Sequence, residues 1–245
     1  MDEIVCGAKG SGKTKYVLVK VLKALRKGKL VVTNIDLDIA QLPLRNVKSK
    51  RFDGLLVRIP DIPRAEDFFS LGLGYEGDRI NDARNGVIVI DEASLSFNAY
   101  QYMEKALQER FDYLINSRKY RFDVYYLVHD PKTLASRIRR SFGNDVITRC
   151  NSVYSIFNVD QESPLRRVIP NVHVARTRKA VAGEELRRSF SKPTFFKAAY
   201  LQRAYDTEQK YREPLPLLVP FVGFDKLQDE AYIFPHHPVT REKPA

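Results

Sequence analysis

Short apolar runs alternate along the chain with stretches in which apolar residues recur every three or four positions. The runs at 2–6 (DEIVC), 30–33 (LVVT), 55–59 (LLVRI) and 123–129 (DVYYLVH) predict strands, and residues 146–157 predict one or two more. GVIVIDEA (86–93) contains four consecutive β-branched residues, which is typical of a strand buried on both faces of a parallel sheet.

Helical periodicity fills the gaps between these strands. Residues 13–27 carry an apolar stripe that Gly28 ends, and 101–118 and 131–140 predict two further helices. Alternating strands and helices predict an α/β fold with a doubly wound, mainly parallel sheet. Beyond residue 160 the pattern changes to short strands, a helix over 194–213 and a proline-rich tail. We therefore predict a core over 1–160 and a C-terminal extension over 161–245 that packs on it, with loose final residues.

Composition narrows the class of protein. The 245 residues are 44% hydrophobic and carry a formal net charge of +11, so the chain can bury a substantial core and suits a polyanionic partner, although a basic soluble protein needs no such partner. Cys6 and Cys150 have no spacing that suggests a zinc site or a disulfide framework. No stretch reaches the roughly 18 apolar residues that predict a membrane span, so we expect no integral membrane segment.

The segment GAKGSGKT matches the phosphate-loop pattern G-x-x-x-x-G-K-[ST]. It follows a predicted strand and precedes a predicted helix, which is the order that such a loop requires. Glycines let backbone N–H groups approach phosphate, the lysine reaches the β- and γ-phosphates, and the threonine hydroxyl binds Mg²⁺. The predicted nucleotide-binding residues are Gly7, Ala8, Lys9, Gly10, Ser11, Gly12, Lys13 and Thr14.

Two carboxylates at the end of the most apolar strand indicate hydrolysis as well as binding. Asp91 is predicted to hold Mg²⁺ together with Thr14, and Glu92 to polarise the attacking water. The chain has no Asn-Lys-x-Asp motif for reading guanine, so ATP is the expected nucleotide. His129 ends the strand at 123–129, where it is expected to contact the γ-phosphate or the water, unless it only caps the strand.

Several segments together resemble the zonula occludens toxin (Zot) domain family, the ATPases of filamentous-phage assembly. They are GAKGSGKT (7–14), VVTNI (31–35), VIVIDEA (87–93), NSRKYRFDVYYLVHDPKTLASRIRR (116–140) and YLQRAYDTEQ (200–209). The resemblance covers roughly residues 1–210 and implies a P-loop NTPase of the wider FtsK-HerA class, whose members act as rings on DNA. At the end of the strand where that family has a glutamine, this chain has His129.

A ring motor needs an arginine from the neighbouring subunit. Arg118 is the first candidate for this catalytic role, followed by Arg121, Arg139 and Arg140. Backbone contacts to DNA are expected at three basic clusters: 137–140, 176–179 and 187–188.

The resemblance also implies a homo-oligomeric ring, capsid or assembly proteins as further partners, and the cytoplasm of an infected host cell as the place of action, with carriage in the virion left open. Filamentous-phage members of the family usually carry a membrane-spanning helix after the ATPase. The expected function is an ATP-hydrolysing motor for viral DNA packaging, export or virion assembly. The lack of such a helix in this sequence favours a soluble packaging or assembly motor like those of small membrane-containing phages. The alternatives are a non-hydrolysing scaffold that nucleotide gates, and another P-loop enzyme such as a kinase or a DnaA-like loader.

Overall fold

A computed structural model describes most of the first two thirds of the chain and shorter parts of the rest. The described residues are 2–27, 29–35, 37, 56–69, 71–74, 85–99, 105–141, 146–157, 159, 162–164, 172–179, 193–197, 201, 204–205 and 219–221. Within them, nine strands form one sheet with helices on both faces.

The strands are β1 (Glu3–Cys6), β2 (Val31–Thr33), β3 (Leu56–Arg58), β4 (Gly86–Ile90), β5 (Phe122–Val128), β6 (Val146–Ser152), β7 (His173–Lys179), β8 (Thr194–Phe196) and β9 (Val219–Phe221). Their order across the sheet is β8-β7-β6-β1-β5-β4-β2-β3-β9. The six strands from β6 to β3 are parallel, while β7, β8 and β9 each pair antiparallel with a neighbour.

The helices are α1 (Lys13–Leu25), α2 (Ala65–Phe69), α3 (Ala93–Ser96), α4 (Lys105–Ile115), α5 (Ser136–Ser141) and α6 (Val153–Ile156), with a 3₁₀ turn at Pro131–Thr133. The apolar face of α1 packs on one side of the sheet, and buried residues of α2 to α5 pack on the other. Helices on both faces of a mainly parallel sheet confirm the predicted doubly wound α/β fold. Among the described helices, none is long and apolar enough to cross a membrane.

Two sequence-based expectations are wrong in part. Residues 194–196 form strand β8 rather than the start of a helix, because they pair with β7 and the Phe196 ring packs against Tyr16 at 5.6 Å between centroids; most of the predicted helix beyond them lies outside the described residues. The second half of 146–157 is α6 rather than strand, because the Ser152 hydroxyl accepts a hydrogen bond from the Ser155 N–H at 3.0 Å and caps the helix.

The part of the chain beyond residue 160 contributes three strands to the same sheet. β7 and β8 extend it past β6, and β9 extends it past β3. The division into a core over 1–160 and an extension over 161–245 stays a prediction, and the tail after residue 221 lies outside the described residues.

The register of the parallel strands brings their carboxyl ends to one edge of the sheet. Cys6 of β1 lies beside Val128 of β5, Ile90 of β4 beside Tyr126, and Thr33 of β2 beside Val89. The residues that follow these strands therefore meet at this edge, which is where open α/β sheets bind their ligands.

Candidate nucleotide-binding site

The glycine loop runs from the end of β1 to the start of α1, as the sequence predicts. Its tip, residues 8–10, is exposed, and the Ser11 N–H closes it with a hydrogen bond to the Ala8 carbonyl at 3.1 Å. Gly12 caps α1 in a left-handed conformation (φ 90°, ψ 17°), and no side chain caps the helix. The free N–H groups of the first helical turn, together with the helix dipole, make this end of α1 suited to an anion.

Lys13 is held inside the loop. Its ammonium group donates to the carbonyl oxygens of Gly7 at 2.9 Å and Ala8 at 3.2 Å, and it lies 3.3 Å from Nδ1 of His129. Only 8% of the residue is exposed. Burial lowers the pKa of Lys13, and the nearby charges of Glu92 and Asp91 oppose that change. The two carboxylates that follow β4 therefore favour the charged form of the buried amine.

Asp91 is braced by Asn34, a residue that the sequence analysis does not assign to the site. The Asp91 N–H donates to Oδ1 of Asn34 at 2.7 Å, and Nδ2 of Asn34 donates to the Asp91 carbonyl at 2.9 Å. Asn34 follows β2, the strand next to β4, and is 5% exposed. One amide side chain thus satisfies both backbone groups of Asp91. The sequence pointed to Asn34 only through its place in VVTNI, one of the segments that resemble the family.

The carboxylate of Asp91 points back to its own turn, where Oδ1 accepts from the Glu92 N–H at 3.0 Å. Burial first and the charge of Glu92 second raise the pKa of Asp91 to about 6, while the Glu92 N–H, Lys13 and His129 oppose the shift. Such a carboxylate holds its proton far more readily than an exposed one, and a bound cation would favour its ionised form.

Glu92 follows β4 and His129 follows the neighbouring strand β5, and their side chains face each other. Nε2 of His129 lies 3.1 Å from Oε1 of Glu92, and both side chains are about half exposed, at 49% and 46%. Nδ1 of His129 lies 3.3 Å from the Lys13 ammonium, which can only donate, and 3.4 Å from the Gly7 carbonyl oxygen, which can only accept. His129 thus contacts the glycine loop through one ring nitrogen and Glu92 through the other. Glu92 itself adopts a left-handed conformation (φ 45°), which costs a non-glycine residue about 1–2 kcal/mol.

Thr14 lies in the first turn of α1, partly exposed and next to Lys13. Strand order places the loop after β1 two strands from Asp91, with β5 and His129 between them. The predicted loop, both carboxylates and His129 therefore occupy one edge of the sheet. Their individual roles in catalysis and metal binding stay predictions.

Arg118 does not join this site within one chain. It is exposed in the turn between α4 and β5, at the opposite end of a seven-residue strand from His129, a separation of roughly 23 Å at about 3.3 Å per residue. Arg121 lies in the same turn with φ 62°. A contact with a nucleotide would have to be made to a neighbouring subunit.

His173 of β7 contacts the glycine loop, a contact that the sequence analysis missed. Its Nδ1 lies 3.1 Å from the Ser11 carbonyl oxygen, and the residue is 3% exposed. β7 reaches the loop because it pairs with β6, which lies beside β1. No local signal around His173 marks this contact, since it depends on pairing between distant strands.

Tyr205 lies close to Asp91. Burial first and the negative charge of Asp91 second raise the pKa of Tyr205 to about 12. Tyr205 also forms an isolated antiparallel bridge with Leu37, which follows β2. The stretch at 200–209 therefore contributes at least one side chain to the surroundings of the carboxylates.

A strand, a glycine loop with its lysine, a helix and an acidic pair after a nearby strand define the P-loop NTPase class. Residues 1–156 match the family model described as "Zonular occludens toxin (Zot)", and the chain belongs to that family.

Among its relatives is the "Gene 1 protein" of Escherichia phage If1, which is 27% identical over 217 residues, 86% of this chain and 59% of that protein. The chain thus spans about three fifths of that relative's length.

Two solved structures resemble this chain at low sequence identity and low TM-score. The N-terminal domain of zonular occludens toxin from Neisseria meningitidis has a TM-score of 0.46 at 15% identity, covering 83% of this chain and 97% of that one. The genome packaging NTPase B204 from Sulfolobus turreted icosahedral virus 2, in complex with AMPPCP, has a TM-score of 0.42 at 12% identity, covering 80% and 96%.

Proposed function

We propose that this chain hydrolyses ATP with Mg²⁺ and that the reaction drives viral DNA packaging, export or virion assembly. The observation that carries the proposal is the convergence of Lys13, Asp91, Glu92 and His129 around the glycine loop. Family membership and a phage relative support the viral setting. We expect the protein to act in the cytoplasm of the infected host cell.

Each side chain has a role that its position supports. The amides of residues 8–14 bind phosphate, and Lys13 exchanges its bonds to the Gly7 and Ala8 carbonyls for phosphate oxygens. Glu92 accepts the proton of the attacking water, and its half-exposed carboxylate is open to that water. His129, which contacts both Lys13 and Glu92, senses the γ-phosphate or orients the water.

The residues present fit Mg²⁺. The Thr14 hydroxyl and the Asp91 carboxylate offer the oxygen ligands that this ion prefers. When bound, Mg²⁺ would neutralise phosphate charge, and its positive charge would favour the ionised form of Asp91, whose pKa burial raises to about 6.

ATP turnover with and without DNA tests this function against its alternatives. We expect turnover that DNA stimulates. Tight ATP binding without turnover would contradict hydrolysis and favour a nucleotide-gated scaffold. Transfer of phosphate to a small acceptor would contradict the motor and favour a kinase. GTP should be consumed more slowly than ATP.

The described residues favour one of the three basic clusters as a DNA contact. Arg176 of β7 lies directly opposite Arg149 of β6, and both are exposed. Like charges directly opposite each other on neighbouring strands destabilise a sheet, and a phosphate between them would relieve that repulsion. Neither has an ion pair with a carboxylate in the described parts of the chain, although Arg149 hydrogen-bonds Cys6.

The other clusters support DNA binding less. Arg137 of α5 is paired with Asp112 at 2.7 Å and also contacts Gln108. The side chain of Arg140 and the whole of 187–188 lie outside the described residues, as do the side chains of Arg178 and Lys179 in the favoured cluster.

Salt titration of DNA binding tests the Arg149–Arg176 pair. Arg176→Ala and Arg149→Ala should each weaken binding to all sequences and reduce the slope of log K against log salt by about one. Lys119→Ala, which removes an exposed charge at the other end of β5, is the matched control. Unchanged slopes in both arginine variants would contradict this surface.

We further propose that Arg118 completes the site of a neighbouring subunit in a homo-oligomeric ring. Its exposure and its distance from the site of its own chain support a role between subunits. Specific activity should then rise with protein concentration. Capsid or assembly proteins are the expected partners of such a ring.

Mixing two inactive variants tests the ring. Arg118→Ala keeps its glycine loop, and Lys13→Ala keeps its arginine, so a mixed ring should recover activity at interfaces where the two meet. A turnover rate per subunit that does not depend on concentration, with no recovery in the mixture, would contradict the ring and leave the nucleotide site intact.

A further inference from the structure

His173 lies under the glycine loop as part of a packed stack. Its ring packs on Phe196 of β8 (centroids 5.5 Å apart, planes at 27°), and Phe196 packs in turn on Tyr16 of α1 at 5.6 Å. A methyl group on Gly12 would lie 2.6 Å from the ring. The ring is thus confined between the loop and the edge of the sheet, which leaves it little freedom to turn.

The contact with Ser11 fixes the orientation of one peptide group of the loop. A carbonyl oxygen only accepts hydrogen bonds, so Nδ1 of His173 carries the proton and donates to the Ser11 oxygen at 3.1 Å. In a trans peptide the carbonyl and the following N–H point in opposite directions. With the Ser11 oxygen tied to β7, the N–H of Gly12 is turned away from β7.

The other polar atoms around this contact are buried without partners in the described parts of the chain. They are Nε2 of His173 and Oγ of Ser11. A histidine that served packing alone could be replaced by an apolar ring with less cost, because burying an unpaired ring nitrogen is unfavourable. Among the described residues, the hydrogen bond to Ser11 is the polar interaction that a histidine can make at this position and a phenylalanine cannot.

We propose that His173 is a positioning residue for the phosphate loop, holding the Ser11–Gly12 peptide in the orientation that presents its N–H to a phosphate of the nucleotide. The inference rests on the proposed nucleotide site and adds to it a residue that lies beyond the matched family region, which ends at residue 156. It follows that His173 couples the β7–β8 end of the sheet to the nucleotide site.

Three variants test this role by titration with ADP and a non-hydrolysable ATP analogue. His173→Phe keeps a ring but removes the donor, and should weaken affinity for both nucleotides about three- to tenfold, the share of one hydrogen bond. His173→Asn places an amide N–H near the position of Nδ1 and should restore most of the affinity. Thr177→Val removes a β6–β7 side-chain hydrogen bond at 2.8 Å without touching the loop, and should bind like the wild-type protein.

Folded His173→Phe with wild-type affinity would overturn the proposal, as would His173→Asn as weak as His173→Phe. If the wild-type protein binds ADP and Lys13→Ala does not, either result removes only the role of His173. If the wild-type protein binds no nucleotide, the proposed function fails and this role fails with it.

One measurement on the wild-type protein keeps the proposal testable should the variants not fold. The ¹⁵N shifts of the His173 ring report which nitrogen carries the proton. We expect Nδ1 to be protonated both without nucleotide and with ADP bound. A proton on Nε2 alone would leave no donor for Ser11 and would overturn the proposal.

Discussion

Replacing Gly12 with alanine should destabilise the protein far more than the same change at Gly10. Both glycines have positive φ, 90° at Gly12 and 76° at Gly10, so a side chain strains the backbone at either position. They differ in their surroundings. A Cβ on Gly12 would lie 2.6 Å from both Cγ and Nδ1 of His173, whereas no atom of the described residues lies within 4 Å of a Cβ on Gly10.

The two terms can be estimated separately. The left-handed conformation costs alanine about 1–2 kcal/mol at each position. The clash adds about 1–3 kcal/mol at Gly12 only, the usual cost of forcing extra atoms into a packed region, because the His173 ring is 3% exposed and is backed by Phe196. We therefore expect Gly10→Ala to lose about 1–2 kcal/mol and Gly12→Ala about 2–5 kcal/mol.

Urea unfolding without nucleotide measures both losses. The extra loss at Gly12 should disappear when His173 is also replaced by alanine, so Gly12→Ala in the His173→Ala background should cost no more than Gly10→Ala does alone. Equal losses in the two single variants, or an extra loss that survives removal of the ring, would refute the packing of His173 against the loop.

Two further predictions concern the acidic turn after β4. The pKa of Asp91 is about 6 in the folded chain and about 4 when unfolded. Between these values the native state binds more protons than the unfolded state, so the contribution of Asp91 to stability falls as the pH rises. Without Mg²⁺ or nucleotide, the unfolding free energy of Asp91→Asn should therefore rise relative to that of wild type from pH 4 to pH 7, and a constant difference between the two would contradict this. Asn34→Ala should lower the unfolding free energy by about 1–3 kcal/mol, because it leaves the Asp91 backbone groups unpaired. Ser96→Ala, which removes a 3.3 Å hydrogen bond to the Asp61 carbonyl, should lose less. Equal losses in the two variants would contradict a stabilising role of Asn34 at Asp91.

Local sequence patterns predicted the elements that carry the nucleotide site. The apolar run before Gly7, the glycine loop and the helical stripe after it form a continuous strand, loop and helix. The β-branched run before Asp91 is a fully buried central strand. Such elements are readable because each depends on residues that are neighbours in the chain.

Contacts between distant segments could not be read from the sequence. The hydrogen bond from His173 to Ser11 joins residues 162 positions apart, and it exists only because β7 pairs antiparallel with β6. The brace from Asn34 to Asp91 likewise depends on β2 lying beside β4. Residues 194–196 are Thr, Phe and Phe, which favour strands, and they pair with β7 while Phe196 packs on Tyr16; the predicted helix therefore began too early.

ATP binding and turnover, measured side by side in wild type, Lys13→Ala and Glu92→Gln, test the central claim most directly. We expect wild type to bind and hydrolyse ATP. Lys13→Ala should do neither, because it removes the buried positive charge in the loop that offsets the negative charge of the phosphates. Glu92→Gln should bind ATP with Mg²⁺ almost normally and hydrolyse it about two to four orders of magnitude more slowly. Wild-type turnover in either variant would contradict the assignment of this edge of the sheet as the site of hydrolysis.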